Sequence, residues 1–147
     1  MLTLHFLLTT NLKENFSFQK RKDVLIENNV FHHCLNHAIR VEASNFTLVN
    51  NLITLVYWSA TLQTSSQSLD FNYPGAVEVA DSAKIFGFTG NLIAGVERIG
   101  FKFKGDSCDF SSTNRNVIHG EATAIAIKSD APDKCVKVSS FTLFKFL

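Results

Sequence analysis

An asparagine followed by two apolar residues recurs along the chain, and this repeat restricts the possible folds more than any other feature. It occurs in the segments Asn28–Phe31, Asn50–Ile53, Gly90–Ile93 and Arg115–Ile118. A second motif, a small residue followed by alternating inward and outward positions, occurs in Ala38–Val41, Ala76–Val79, Gly100–Phe103 and Ala124–Ile127. Successive small residues lie 38, 24 and 24 positions apart. The period is therefore about two dozen residues, with one insertion in the second unit.

A period of this length, with two short strand-like segments per unit, is typical of a solenoid, because only stacking buries the apolar face of each segment. Stacked turns lie ~4.8 Å apart. Two inward columns are predicted, namely Ile39, Val77, Phe101 and Ile125, and Val41, Val79, Phe103 and Ile127. The outward positions between them form a charged column of Arg40, Glu78 and Lys102.

The repeated asparagines are expected at a corner of each turn, where asparagine tolerates a left-handed backbone. Their amides are predicted to stack as a hydrogen-bonded ladder of Asn29, Asn51, Asn91 and Asn116. The strand that precedes the asparagine weakens to Ser111 and Thr113 in the fourth unit.

The sequence therefore predicts an all-β, right-handed parallel β-helix of about four coils plus a partial one. The repeats occupy residues 24–138 with a long insertion at 54–74. Residues 1–23 receive no assignment, and residues 139–147 are expected to begin a further coil. A leucine-rich repeat and a β-sandwich are the alternatives. The first lacks its L-x-x-L-x-L spacing here, and the second leaves the aligned asparagines unexplained.

Composition argues for a folded core, since 46% of the residues are hydrophobic and 18% are charged. A formal net charge of +1 gives no overall field that would favour nucleic acid. The basic run at residues 19–22 is expected to be a solvated rim, with a glycosaminoglycan contact as the alternative. The apolar start at residues 1–8 lacks the features of a secretory signal. Both termini are interpreted as cuts through a longer protein or as errors in the predicted gene boundaries.

Three cysteines and two glycosylation sequons bear on the compartment. Cys108 and Cys135 are 27 residues apart and so fall on neighbouring coils, which makes a disulfide sterically plausible; three reduced thiols are the alternative. Cys34 is expected to be a buried or half-buried free thiol. Asn15 and Asn45 begin N-x-S/T sequons and are candidate glycosylation sites in a secreted chain.

The insertion concentrates aromatic residues, since it holds both tyrosines and the only tryptophan, Tyr57, Trp58 and Tyr73. Long loops on a rigid scaffold often carry binding, and an aromatic face can stack on a sugar or anchor a partner. The competing interpretation is a loop folded against the wall of the coil to cover apolar surface.

Asp106 and Asp130 are 24 positions apart and are expected to stack, with Asp81 near the same column. Two such carboxylates could share a proton or hold a cation such as Ca²⁺, but their turn-like settings favour a structural role. The cluster of His32, His33 and His37 has no stacked histidine partner, so exposed or satisfied turn residues are expected. No nucleophile elbow, phosphate loop or zinc spacing is present, and we predict neither a catalytic residue nor a cofactor.

Residues 24 to 138 resemble the parallel β-helix region of the fibrocystin and fibrocystin-like family. The resemblance lies in Val24–Phe31 with His37 and Ala38, in Leu48–Leu52, in Gly75–Val79, and in Asn91–Phe101 with Gly105–Cys108. It implies a segment of a large extracellular receptor with a single membrane span. Related hyaluronan-degrading proteins share such a helix, although no marker of their catalytic site matches a residue here.

The function expected from these features is a non-catalytic scaffold and recognition segment at the cell surface, with an unknown protein or glycan as its ligand. The neighbouring coils of the parent chain are its structural partners, and this segment itself does not enter the membrane. A carbohydrate-active β-helix that binds or cleaves a polysaccharide such as hyaluronan is the alternative. Because solenoid ends need capping, the isolated fragment is expected to aggregate or dimerise.

Overall fold

A computed structural model of the chain describes residues 2–4, 16–19, 23–42, 45–58, 73–79, 84–104, 113–128 and 141–144. Strands and the short corners between them make up all of these residues. The strands are β1 (Leu2–Leu4), β2 (Phe16–Gln19), β3 (Asp23–Glu27), β4 (Val30–Leu35), β5 (Ile39–Glu42), β6 (Asn45–Val49), β7 (Leu52–Tyr57), β8 (Gly75–Val79), β9 (Lys84–Thr89), β10 (Leu92–Val96), β11 (Ile99–Lys104), β12 (Thr113–Asn114), β13 (Asn116–His119), β14 (Thr123–Lys128) and β15 (Phe141–Phe144).

These strands form three parallel sheets of five strands each. Sheet A has the order β1-β3-β6-β9-β12, sheet B the order β2-β5-β8-β11-β14, and sheet C the order β4-β7-β10-β13-β15. Each turn of the chain contributes one strand to each sheet, as β3, β4 and β5 do, and the next turn pairs with it in parallel. The predicted parallel β-helix is confirmed.

The prediction of two strands per turn was wrong, because each turn has three. The additional strand is the one that contains the two apolar residues after each repeated asparagine, in β4, β7, β10 and β13. The corner before it takes only two residues, such as Asn28 and Asn29, so the sequence offers no loop that separates it from the preceding strand.

The predicted inward columns are confirmed by the register of sheet B. Ile39 pairs with Val77, Val77 with Phe101, and Phe101 with Ile125. The second column likewise stacks Val41, Val79, Phe103 and Ile127. The first three members of each column are at most 1% exposed, whereas Ile125 and Ile127 are only partly buried because they lie in the last turn of this sheet.

The predicted asparagine ladder is also present. Asn29, Asn51, Asn91 and Asn116 are all at most 3% exposed. Each side-chain amide donates to the amide oxygen of the next, with N···O distances of 3.3, 3.0 and 3.1 Å along the series. The same oxygens accept the backbone N–H of the preceding asparagine at 3.0 Å. Four buried polar side chains are thus satisfied by one another.

The sequence analysis expected the ladder asparagine to adopt the left-handed backbone conformation. That expectation was wrong, because the residue before it adopts this conformation. Asn28, Asn50, Gly90 and Arg115 have φ values of 57°, 54°, 68° and 54°. A Cβ atom on Gly90 would also collide with the Oδ1 atom of Asn50 in the turn below. One residue therefore makes the turn while the next supplies the buried amide.

The fourth turn has a short strand in sheet A, where the sequence pattern weakens. Its strand in sheet A, β12, has only two residues, and Thr113 lies opposite Phe88. The ring of Phe141 in the following turn compensates for this small side chain. Its centroid lies 5.7 Å from Phe88 and 6.1 Å from Phe101, although β15 is two turns beyond β10 in sheet C.

Candidate recognition surface

The outer face of sheet B holds the charged column predicted from the sequence. The register places Arg40 beside Glu78 and Glu78 beside Lys102. Lys102 Nζ lies 3.5 Å from Glu78 Oε2, whereas Arg40 pairs within its own strand, at 3.0 Å from Glu42. Lys102 is only 9% exposed, which is unusual for a lysine that points outward from a sheet.

Lys102 is covered because the end of the insertion lies on it. Its Nζ donates to the backbone carbonyl of Tyr73 at 2.9 Å. Gly75 makes room for the lysine stem, since a Cβ atom there would lie 2.6 Å from Lys102 Cβ. The described end of the insertion, at Tyr73, is therefore anchored to the charged column.

The first four residues of the predicted insertion, 54–57, belong to strand β7. Trp58 and Tyr73, which flank residues 59–72, come together and are called the two ends of the insertion below. Their ring centroids are 5.1 Å apart at an interplanar angle of 86°. The guanidinium carbon of Arg98 lies 4.8 Å from the centroid of each ring. The contact is a cation–π interaction with two aromatic partners, a geometry in which arginine is favoured.

Tyr57 faces away from this pair. It is 43% exposed and its ring lies 6.0 Å from that of His33, at an interplanar angle of 25°. Leu35, its register partner in β4, is 37% exposed. We refer to His33, Leu35 and Tyr57 as the Tyr57 surface.

The remaining histidines and Cys34 have defined surroundings. His32 Nδ1 lies 2.7 Å from Thr54 Oγ1 in the next turn. Burial lowers the pKa of His37 below its ordinary value, and Arg40 and Lys102 add to that effect while Glu78 opposes it. Cys34 is a buried free thiol, as expected, and burial raises its pKa to about 11. That pKa keeps the thiol protonated and unreactive at neutral pH.

Several predicted sites lie outside the described residues. These are Asp106 and Asp130, Asp81, the cysteines Cys108 and Cys135, and the sequon asparagine Asn15. Asn45 is described, and its Nδ2 donates to Asp23 Oδ1 at 3.0 Å in an exposed setting. Within the described ranges, no three His, Cys, Asp or Glu side chains are placed to hold a metal ion.

Most of the chain is similar in sequence to fibrocystin. It is 30% identical to fibrocystin of Canis lupus familiaris over 125 residues and 31% identical to fibrocystin of Mus musculus over 124 residues, in both cases 83% of this chain. Fibrocystin-L of Homo sapiens is 24% identical over 81% of the chain. The chain spans 3% of the length of each relative. No protein-family model and no solved structure matches it.

The chain is a fibrocystin-like β-helix region. The similarity and the three-sheet solenoid agree with the resemblance found in the sequence. In the part of the fibrocystin-like chain that the structure describes, no helix has the length and hydropathy needed to cross a membrane.

Sequence reasoning about this fibrocystin-like region missed Arg98. The residue occupies a corner between β10 and β11, and its neighbour Glu97 is exposed, so the local pattern indicates only a polar turn. Its aromatic partners are 40 and 25 positions away in the sequence. The repeat offered an indirect signal, because the third unit stacks directly on the strands of the second unit, β7 and β8, between which the insertion occurs.

Proposed function

We propose that this fibrocystin-like region is a non-catalytic, extracellular scaffold within a larger membrane-anchored, receptor-like protein, and that it recognises a protein or glycan through the Tyr57 surface. The main support is the exposure of Tyr57 and Leu35, at 43% and 37%, on adjacent strands of a rigid sheet. Aromatic side chains with an apolar body and a polar edge are common anchors at binding surfaces. The imidazole of His33 beside the ring favours a glycan, since it adds a hydrogen-bonding group to a stacking face.

The test of recognition is binding of the intact ectodomain to immobilised hyaluronan, chondroitin sulfate and heparan sulfate. We expect the wild type to bind at least one of these three glycans, and we expect Tyr57→Ala to weaken that binding. Leu143→Ala is the matched control, because Leu143 is also an exposed apolar residue of sheet C, at 50% exposure. Equal loss in both variants, or unchanged binding in Tyr57→Ala, would contradict the role of the Tyr57 surface.

The absence of catalysis is tested on the same glycans. Incubation of the wild-type ectodomain with hyaluronan of defined length should leave the chain length unchanged, as measured by gel electrophoresis or light scattering. Shortening of the polysaccharide by the purified protein, with retained activity after removal of trace hydrolases, would favour the carbohydrate-active alternative.

Extracellular location is tested through the sequon at Asn45. The exposed amide of Asn45 at the start of β6 is compatible with an attached glycan. Thr47→Val removes the sequon with little change of shape, whereas Thr47→Ser retains it. Mass spectrometry of the full-length parent protein from secretory cells should find the glycan in wild type and Thr47→Ser only. An unoccupied Asn45 in the wild type would remove this support.

A further inference from the structure

The two ends of the insertion are held by the same turn of the solenoid. Trp58 and Tyr73 belong to the second turn, and the side chains that hold them belong to the third, Glu97, Arg98 and Lys102.

Arg98 makes the central contact. Its guanidinium carbon is equidistant from the Trp58 and Tyr73 rings, at 4.8 Å from each. Its Nε atom is buried and has no hydrogen-bond partner within the described part of the chain. Among the described residues this guanidinium contacts the two aromatic rings, and a desolvated cation–π pair is stronger than an exposed one.

Two backbone anchors flank the aromatic contact. The backbone N–H of Trp58 donates to Glu97 Oε2 at 2.8 Å, where β7 has ended. The carbonyl of Tyr73 accepts from Lys102 Nζ at 2.9 Å, just before β8 begins. Both bonds are charge-assisted, and they satisfy backbone groups that lie outside the ladders of the sheets.

We propose that Arg98 is a positioning residue, which together with Glu97 and Lys102 clamps both ends of the insertion to the third turn. The clamp engages the rings of Trp58 and Tyr73 and, among the aromatic residues at 54–74 that the structure describes, leaves Tyr57 as the contact for a ligand. This last point rests on the proposed function, whereas the clamp itself does not.

The clamp is tested by the fluorescence of Trp58, the only tryptophan of the 147-residue chain, measured on that chain in its self-associated form. Arg98→Ala should shift the emission to longer wavelength, raise the acrylamide quenching constant and lower the melting temperature by about 2–6 °C. Arg98→Lys keeps the charge but loses the planar stacking group. We therefore expect smaller changes in the emission wavelength, the quenching constant and the melting temperature than in Arg98→Ala. Arg40→Ala is the matched control, since Arg40 pairs with Glu42 and should leave the emission unchanged.

Unchanged emission and quenching in a folded Arg98→Ala variant would overturn the proposal. If Arg98→Ala does not fold, Arg98→Lys decides by the same readout, because it retains the charge and the aliphatic stem. The result that overturns the proposal is then a Trp58 signal identical to that of the wild type.

Replacing residues 59–72 with a short Gly/Ser linker tests whether Arg98 or the replaced segment positions Trp58. We expect the Trp58 emission and the cooperative melting of the solenoid to stay close to wild type. A shift of emission as large as that in Arg98→Ala would show that the insertion, not Arg98, positions Trp58. Failure of the wild type to bind any of the three immobilised glycans would count against the proposed function alone, since the fluorescence result is independent of ligand.

Discussion

At the scale of single residues, each corner that contains a ladder asparagine uses two residues with different roles. The first makes the turn of the backbone, and the second supplies a buried side-chain amide. The residue before each ladder asparagine adopts a left-handed backbone, as Asn28 does at φ 57°. The ladder asparagine itself is buried and accepts and donates hydrogen bonds along the stack. Arg115 shows that the first position is defined by the backbone rather than by one residue type, since it adopts φ 54° in the fourth turn.

Replacement of Asn91 by alanine should lower the free energy of unfolding by about 3–5 kcal/mol. The amide oxygen of Asn91 accepts two bonds from Asn51, and its Nδ2 donates to Leu48 O, Thr89 O and the side chain of Asn116. Removing it leaves several buried groups unsatisfied. Urea denaturation measures the change.

The control for Asn91 is Asn45→Ala, which removes a single exposed bond to Asp23 and should cost about 1 kcal/mol or less. If the two substitutions lower the free energy of unfolding by the same amount, the buried ladder does not stabilise the protein more than an exposed hydrogen bond does.

At the scale of strands, β15 stabilises a turn to which it does not belong. The ring of Phe141 reaches the phenylalanines of the third turn across the fourth, where β12 offers only Thr113 opposite Phe88. The ring of Phe141 from sheet C thereby fills the space that the small side chain of Thr113 in sheet A leaves beside Phe88.

Phe141→Ala should therefore destabilise the protein by about 2–4 kcal/mol, because it removes a partly buried ring and leaves a cavity beside Phe88 and Phe101. Chemical denaturation gives the value. Thr142→Ala on the same strand is exposed and should be nearly neutral. A neutral Phe141→Ala would mean that the fourth turn does not depend on β15.

We expect the stability of the fold to depend on pH through His37, which lies in the corner before β5. Burial lowers its pKa below the ordinary value of 6.5, so the unfolded state binds the proton more readily than the folded state. The stability contributed by neutral His37 is present above pH 6.5 and is lost as the pH falls below 6.5 towards the lowered pKa. Melting curves between about pH 5 and 8 should show a steeper acid loss in wild type than in His37→Gln.

The matched control for His37 is His33→Gln, because His33 is exposed on the outer face of sheet C. That variant should follow the wild-type acid profile. If His37→Gln and wild type lose stability in parallel, His37 is not the group responsible.

At the scale of the whole molecule, each of the three sheets, as far as the structure describes it, ends in two edge strands, and an edge strand can pair through its backbone with another chain. Residues 1–147 alone should therefore self-associate, and light scattering coupled to size-exclusion chromatography should give a mass above the 16.4 kDa of one chain. The exposed Leu143 on β15 adds an apolar contact at one edge. A monomer that melts cooperatively would contradict this expectation.

Much of this architecture could be predicted because it is periodic. The columns through Ile39 and Val41 and the asparagine ladder depend on residues one turn apart, so a fixed spacing in the sequence becomes a fixed contact in space. The third strand per turn could not be predicted, since the corner at Asn28 and Asn29 is too short to appear as a break.

The sequence by itself determined the repeat, the residues that face the interior and the family to which the chain is similar, because stacked turns convert periodicity directly into burial. Only the tertiary structure decided how the insertion is anchored and which of its aromatic residues is exposed. Arg98 meets Trp58 and Tyr73 through a contact that follows no period, and the direction in which Tyr57 points depends on where β7 ends.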